Sequence, residues 1–263
     1  MAITPQDSLS KTHRLALSFA IVAAVMLNWI PTFDAFAQHY LTDTISSNAI
    51  VFTMARTLNG VISVVQSAEL SVGVASVNLG EIFDPINDLI ERFSGLLLIS
   101  LTALGIQQVI LLLTTSIALK VIFSVYAAVV IILLWQPTFN ARSIINVGLV
   151  ILMLRFLLNI EVSLVWLFDW LYFNATGTEA LSVLQASTQV LVNIKTSITE
   201  IDIGKYIFGA NTPITDSEAI SSQIATSVVT LIVGIVFKSM IIPIGTLWLG
   251  YKIGLHTIMR QSS

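Results

Sequence analysis

Apolar residues follow one another along this chain in two rhythms, one nearly unbroken and one striped. Residues 15–31 (LALSFAIVAAVMLNWIP) follow Lys11, His13 and Arg14 and continue without a charge to Asp34. Residues 144–172 contain Arg155, Glu161 and Asp169 but are otherwise apolar, and are long enough to cross a bilayer with a tilt or a protruding end. Residues 226–250 form a third run, with Lys238 near the middle. A hydrocarbon core of about 30 Å takes roughly 20 apolar helical residues, so each run predicts one crossing.

A fourth run, residues 95–135, carries the single charge Lys120. As one straight helix it would be about 60 Å long, twice the membrane. It is therefore either two crossings, near 96–114 and 118–135, or one crossing joined to a re-entrant or in-plane helix. The distribution of Lys and Arg favours one net crossing, because basic residues concentrate in short cytoplasmic segments. Segments 1–14, 136–143 and 251–263 then lie inside with Lys11, Arg14, Arg142, Lys252 and Arg260. The longer outside segments, 37–93 and 174–223, hold only Arg56, Arg92, Lys195 and Lys205. Interfacial aromatics fit this arrangement, with Trp29, Phe33, Trp166, Trp170 and Tyr172 at outer ends and Trp135, Trp248 and Tyr251 at inner ends.

The striped rhythm belongs to the outside segments. In residues 43–68, Val51, Ala55, Leu58, Ile62 and Val65 recur at spacings of 4, 3, 4 and 3, separated by Thr53, Arg56, Asn59, Ser63 and Gln66. Residues 178–201 repeat the design with Leu184, Leu191, Ile194, Ile198 and Ile201. Each predicts a long helix with an apolar stripe that it cannot bury alone. Either the two stripes pack on each other within one subunit, or they associate around a symmetry axis in a homo-oligomer. Asp84-Pro85 predicts an acidic cap before a helix that leads into the next span, and Thr215 to Glu218 has capping-box spacing at the equivalent place. The order of span, amphipathic helix, loop, capped helix and span thus occurs twice, as an old duplication or two independent ectodomain helices would give.

The expectation is an all-α integral membrane protein with four transmembrane helices, one with an adjoining re-entrant or in-plane helix, plus two extracytoplasmic amphipathic helical segments. A cytoplasmic N-terminus (1–14) precedes a span (15–31), an extracytoplasmic segment (37–93), the membrane region 95–135 and a span (144–172). A second extracytoplasmic segment (174–223), a span (226–250) and a cytoplasmic C-terminus (251–263) follow. The basic start, the apolar run and Ala35-Phe36-Ala37 also fit a cleaved secretory signal, but the run is at the long end for a signal core and reads as a retained first span.

Composition supports the membrane assignment. Of 263 residues 56% are hydrophobic and 10% charged, with a mean hydropathy of +0.90, whereas soluble domains carry about 25% charged residues. A soluble globular enzyme is excluded. Twelve Lys plus Arg against fifteen Asp plus Glu leave a net charge of −3, with no basic excess for nucleic acid. The chain has no cysteine, hence no disulfide, Cys-based zinc site or thiolate nucleophile, in keeping with a bacterial inner membrane.

Candidate chemistry lies in the intramembrane charges, each costing about 2.5–3.5 kcal/mol to insert unless it faces protein, water or another charge. These are Arg155, Glu161, Lys238 and Lys120, with Asp169 near an edge. Glu161 falls roughly 15 Å and Lys238 roughly 18 Å from the outer surface, so an ion pair between them is expected. Arg155 stands six residues from Glu161, on another helix face, and like-charged Lys120 cannot neutralise it. Pro243 frees a carbonyl near position 239 and predicts a kink close to Lys238. These features line a polar path, or else fix helix packing. Gln107 and Gln108 suit a polar re-entrant turn or interhelical hydrogen bonds.

Other candidates are weaker. His13, His39 and His256 are too scattered for a metal or haem site. Asp84, Asp88 and Glu91 suit a cation less well than they suit capping and a solvated face. Asn174-Ala175-Thr176 is a common triplet. Walker, dinucleotide, serine-elbow and HExxH motifs are absent, and no cofactor is expected. The expected function is an oligomeric membrane channel or transport component; the alternative is a non-catalytic scaffold subunit of a bacterial envelope complex.

Overall fold

The computed structural model describes residues 11–72, 79–136, 141–199 and 217–259, and all regular structure among them is helical. Helix α1 is Lys11–Trp29, α2 Pro31–Val72, α3 Leu79–Thr114, α4 Ile117–Leu134, α5 Ala141–Phe168, α6 Asn174–Thr199, α7 Ser217–Val236 and α8 Ile242–Met259. Five-residue π turns, Asp169–Phe173 and Phe237–Ile241, join α5 to α6 and α7 to α8 without ending either helix. Six helical stretches among the described residues are long and apolar enough to cross a membrane: Lys11–Trp29, Pro31–Gln66, Phe83–Thr114, Ile117–Leu134, Val150–Asn193 and Glu218–Gly254.

The chain divides into two units. The first comprises Met1–Thr42, Ile106–Leu164 and Pro243–Ser263 and contains two broken helices. Ile30 alone separates α1 from α2, and Pro31 opens α2 at the position where its missing N–H has no intrahelical acceptor to lose. Thr115 and Ser116 separate α3 from α4. Ser116 has extended backbone, and its Oγ accepts from the Leu119 amide at 3.4 Å, capping α4. Gln107 and Gln108 therefore do not mark a turn: α3 runs through them to Thr114, and Gln108 donates to Thr42 Oγ1 at 3.2 Å.

Side-chain bonds fix how these pieces lie in the first unit. Asn28 meets the Lys120 carbonyl and Trp29 meets Ser124, while Trp135 meets Ser18, so α1 and α4 are antiparallel. Gln38 bonds Thr115 as Thr42 bonds Gln108, so the start of α2 runs antiparallel to the end of α3. Helix α5 packs against α4, where Phe123 meets Phe156 edge-on at 6.4 Å, and against α8, where Gly250 lies under Leu157 and Met153. Leu15, Phe19, Met26, Ile117, Ile122 and Ile132 are exposed on α1 and α4, as lipid-facing side chains are.

The second unit, Asp43–Gly105 and Val165–Ile242, is built on the stripes. Val51, Ala55, Leu58, Ile62 and Val65 of α2 form one buried cluster with Ile90, Phe93 and Leu97 of α3, Leu184 and Leu191 of α6, and Ile224, Val228, Leu231 and Ile235 of α7. The described positions of both stripes are thus buried in one core within the chain, shared with α3 and α7. Thr53, Arg56 and Thr57 of α2 remain exposed opposite the stripe.

One expected cap is corrected. Asp84 does not cap α3, which begins at Leu79 and carries Pro85 in its interior. Lacking an N–H, Pro85 leaves the Glu81 carbonyl without its α-helical donor. Thr215, Ile201 and the side chains of Ile194 and Ile198 lie outside the described residues. Ala35-Phe36-Ala37 falls inside α2 with Ala37 buried.

Candidate functional site

In the first unit, the helix breaks bring polar groups together. Asp34 stands in the first turn of α2, where a carboxylate is favoured by the unpaired N–H groups of the helix start. Lys120 stands in the first turn of α4, just past Ser116. Arg155 reaches them from α5: its Nη2 donates to both Asp34 oxygens at 2.9 and 2.8 Å, and its Nε to Asn28 Oδ1 at 2.8 Å. Lys120 Nζ lies 2.7 Å from Asp34 Oδ2. Asn159, one turn beyond Arg155, donates to Asp34 Oδ1 at 3.0 Å, and Asn28 donates to the Lys120 carbonyl at 3.2 Å.

Arg155 and Asp34 are each 5% exposed, so this cluster is inside the protein. It holds two cations and one anion, a formal surplus of one positive charge. Arg155 Nη1 and Asn159 Oδ1 are buried without a hydrogen-bond partner among the described residues. Native interiors rarely leave such groups unsatisfied, since each costs about 1–3 kcal/mol and more when charged. The sequence correctly marks Arg155 and Lys120 as cations that cannot neutralise each other. It gives no hint that Asp34, placed at the edge of the first apolar run, pairs with both.

Glu161 and Lys238 take different partners from those expected. Thr246 Oγ1 of α8 lies 3.5 Å from Glu161 Oε2. Lys238 pairs instead with Asp169, at 2.9 Å, in the second unit. Counting residues from the outer ends gives heights along a helix but carries no information about which way either side chain turns.

The Lys238–Asp169 pair joins the two π turns. Asp169 opens the first and Lys238 is the second residue of the other. Phe168 and Phe237 stack beside the pair with centroids 5.2 Å apart, and Lys238 Nζ sits 4.4 Å over the ring of Phe173. Gly177 and Gly234 flank that ring so closely that a Cβ at either would collide with it. At Pro243 the helix widens rather than stops: the Ile242 amide bonds the Phe237 carbonyl, a π-type bond just ahead of the proline. Ser239 Oγ donates to the Ile235 carbonyl at 2.7 Å in the same turn.

The acidic residues Asp84, Asp88 and Glu91 lie within α3 and do not converge. Asp88 pairs with Arg92 at 3.0 Å on the surface, and Asp84 accepts from Gln66 at 3.5 Å. Among the described residues no group of three His, Cys, Asp or Glu is placed to hold a metal ion. Comparison with known protein families, characterised proteins and solved structures returns no match for this chain.

Proposed function

We propose that this protein is a transport component of a membrane, most simply the bacterial inner membrane, with four crossings and both termini cytoplasmic as the distribution of Lys and Arg indicates. The observation carrying this reading is the Asp34–Lys120–Arg155 cluster at the breaks of two discontinuous helices, with buried polar atoms of Arg155 and Asn159 left unsatisfied. Interrupted helices supply unpaired backbone groups at membrane depth, and charged side chains there face protein or water. An unsatisfied guanidinium nitrogen and amide oxygen beside a surplus positive charge suit a site through which a small polar solute or ion passes. Purified protein in liposomes is expected to pass such a solute down an imposed gradient. Lys120→Gln is expected to change its selectivity without altering the oligomeric state. Liposomes that remain tight under ion, proton and small-solute gradients overturn the reading.

A second reading is supported by the way Arg155 ties α1, α2 and α5 together while Asp34 adds α4. In a scaffold subunit of an envelope complex, this cluster serves packing alone. Tight liposomes, together with loss of assembly in Lys120→Gln, favour that role.

A further inference from the structure

Glu161 is 2% exposed, the most enclosed carboxyl among the described residues, and it stands apart from the Asp34–Lys120–Arg155 cluster. Its partner is the Thr246 hydroxyl at 3.5 Å, which also lies 2.9 Å from the Pro243 carbonyl. No cation stands within ion-pairing distance of Glu161 among the described residues. The charged groups on the surrounding elements are engaged or remote. Lys120 of α4 and Arg155 of α5 converge on Asp34 of α2, and Lys252 of α8 lies over the Trp248 ring at 4.9 Å. Lys11, His13 and Arg14 occupy the first turn of α1. Arg155 shares the helix but is six residues away, about 9 Å along the axis and on another face.

A carboxylate enclosed in protein, with no cation and one long hydrogen bond, is a poor place for a charge. A neutral carboxylic acid suits the same surroundings, because a threonine hydroxyl both donates and accepts. We propose that Glu161 is a proton-binding site of the first unit, a neutral acid at rest that releases its proton to water admitted along the polar path and takes it back. Release leaves one negative charge on α5. The surplus positive charge of the Asp34–Lys120–Arg155 cluster, to which α5 contributes Arg155 about 9 Å away along its axis, offsets it in part. The idea rests on the transport reading only in making the coupled ion a proton; the protonated site stands or falls by itself.

The test is infrared spectroscopy of the full chain in lipid at mildly alkaline pH, where solvent-exposed carboxyls are ionised. A carbonyl stretch of a protonated acid is expected, lost in Glu161→Gln, whose amide is close in shape to the neutral acid. Thr246→Val, which keeps the carboxyl, is expected to shift the band. Absence of the band in the unaltered protein overturns the proposal, as does a band that survives Glu161→Gln. A band in protein whose liposomes stay tight under ion, proton and small-solute gradients keeps the site and rejects the transport reading. Proton flux without the band does the reverse.

Discussion

Lys238 and Asp169 face each other at 2.9 Å across two helices, each from a π turn that widens its helix at that point. A π turn inserts one residue into the helical ladder and changes which side chains share a face. Asp169 and Lys238 are thereby presented to each other beside stacked Phe168 and Phe237. Pro243 gives the second turn a cause in sequence, since its missing N–H and its ring disfavour an ordinary α-helical bond just there. The first turn has no proline. Its last residue, Phe173, is instead held between Gly177, Gly234 and the Lys238 ammonium.

The ion pair is largely enclosed, with Lys238 13% and Asp169 24% exposed at the side chain. Lys238→Met and Asp169→Asn are each expected to destabilise the protein, and the double variant to lose less than the two single losses combined. A coupling of about 0.5–3 kcal/mol is expected from residues in direct contact. Reversible unfolding of the four proteins in detergent measures it, and strictly additive losses would show that the pair is not coupled.

Gly234→Ala places a methyl group against the Phe173 ring. Overpacking of this kind costs about 1–3 kcal/mol. The melting temperature is expected to fall, and to recover in part when Phe173→Leu is added to make room. An unchanged melting temperature in Gly234→Ala would mean that the ring moves aside freely.

Asp34 and Asp88 give opposite outcomes for the same chemical change. Asp34→Asn leaves Lys120 and Arg155 buried without an anion, and breaking a buried pair in this way costs about 3–5 kcal/mol. Asp88→Asn removes an exposed helix pair with Arg92, worth at most about 1 kcal/mol and less in high salt. Parallel unfolding curves at low and high salt test the contrast; equal losses would contradict the burial of the cluster.

The stripes provide a comparison of the same kind in the second unit. Leu58 is fully enclosed among the four helices, whereas Ile50, eight residues earlier on α2, is exposed. Leu58→Ala is expected to cost about 2–5 kcal/mol, as large-to-small changes in a core do. Ile50→Ala is expected to change stability by about 0.5 kcal/mol or less, the usual effect of a surface substitution. Similar losses at both positions would mean that Ile50 is covered in an assembly.

Much of the helical architecture is legible in the chain itself, because hydrophobic periodicity is a local property. Residues 95–135 are too long for one straight crossing, and the structure breaks them at Thr115 and Ser116, in the gap of the two-crossing alternative. The striped segments become long helices whose buried faces carry the predicted residues, from Val51 to Val65 on α2 and at Leu184 and Leu191 on α6. A helix buries one face whatever its neighbour is, so the face can be read before the neighbour is known.

The partners of the charges are decided only by the tertiary structure. Lys120 and Arg155 lie 35 residues apart in sequence, and Asp34 is more than 80 residues from either, yet all three meet where two helices break. Lys238 bonds Asp169, eight residues past the Glu161 expected to receive it, because a π turn resets the direction in which Asp169 points. Sequence spacing fixes height and angle along a regular helix, but a one-residue widening of that helix, or a break in its neighbour, turns a side chain toward another partner. That depends on how the helices pack: Phe173 against two glycines, Asn28 against Arg155, and the start of α2 against the end of α3.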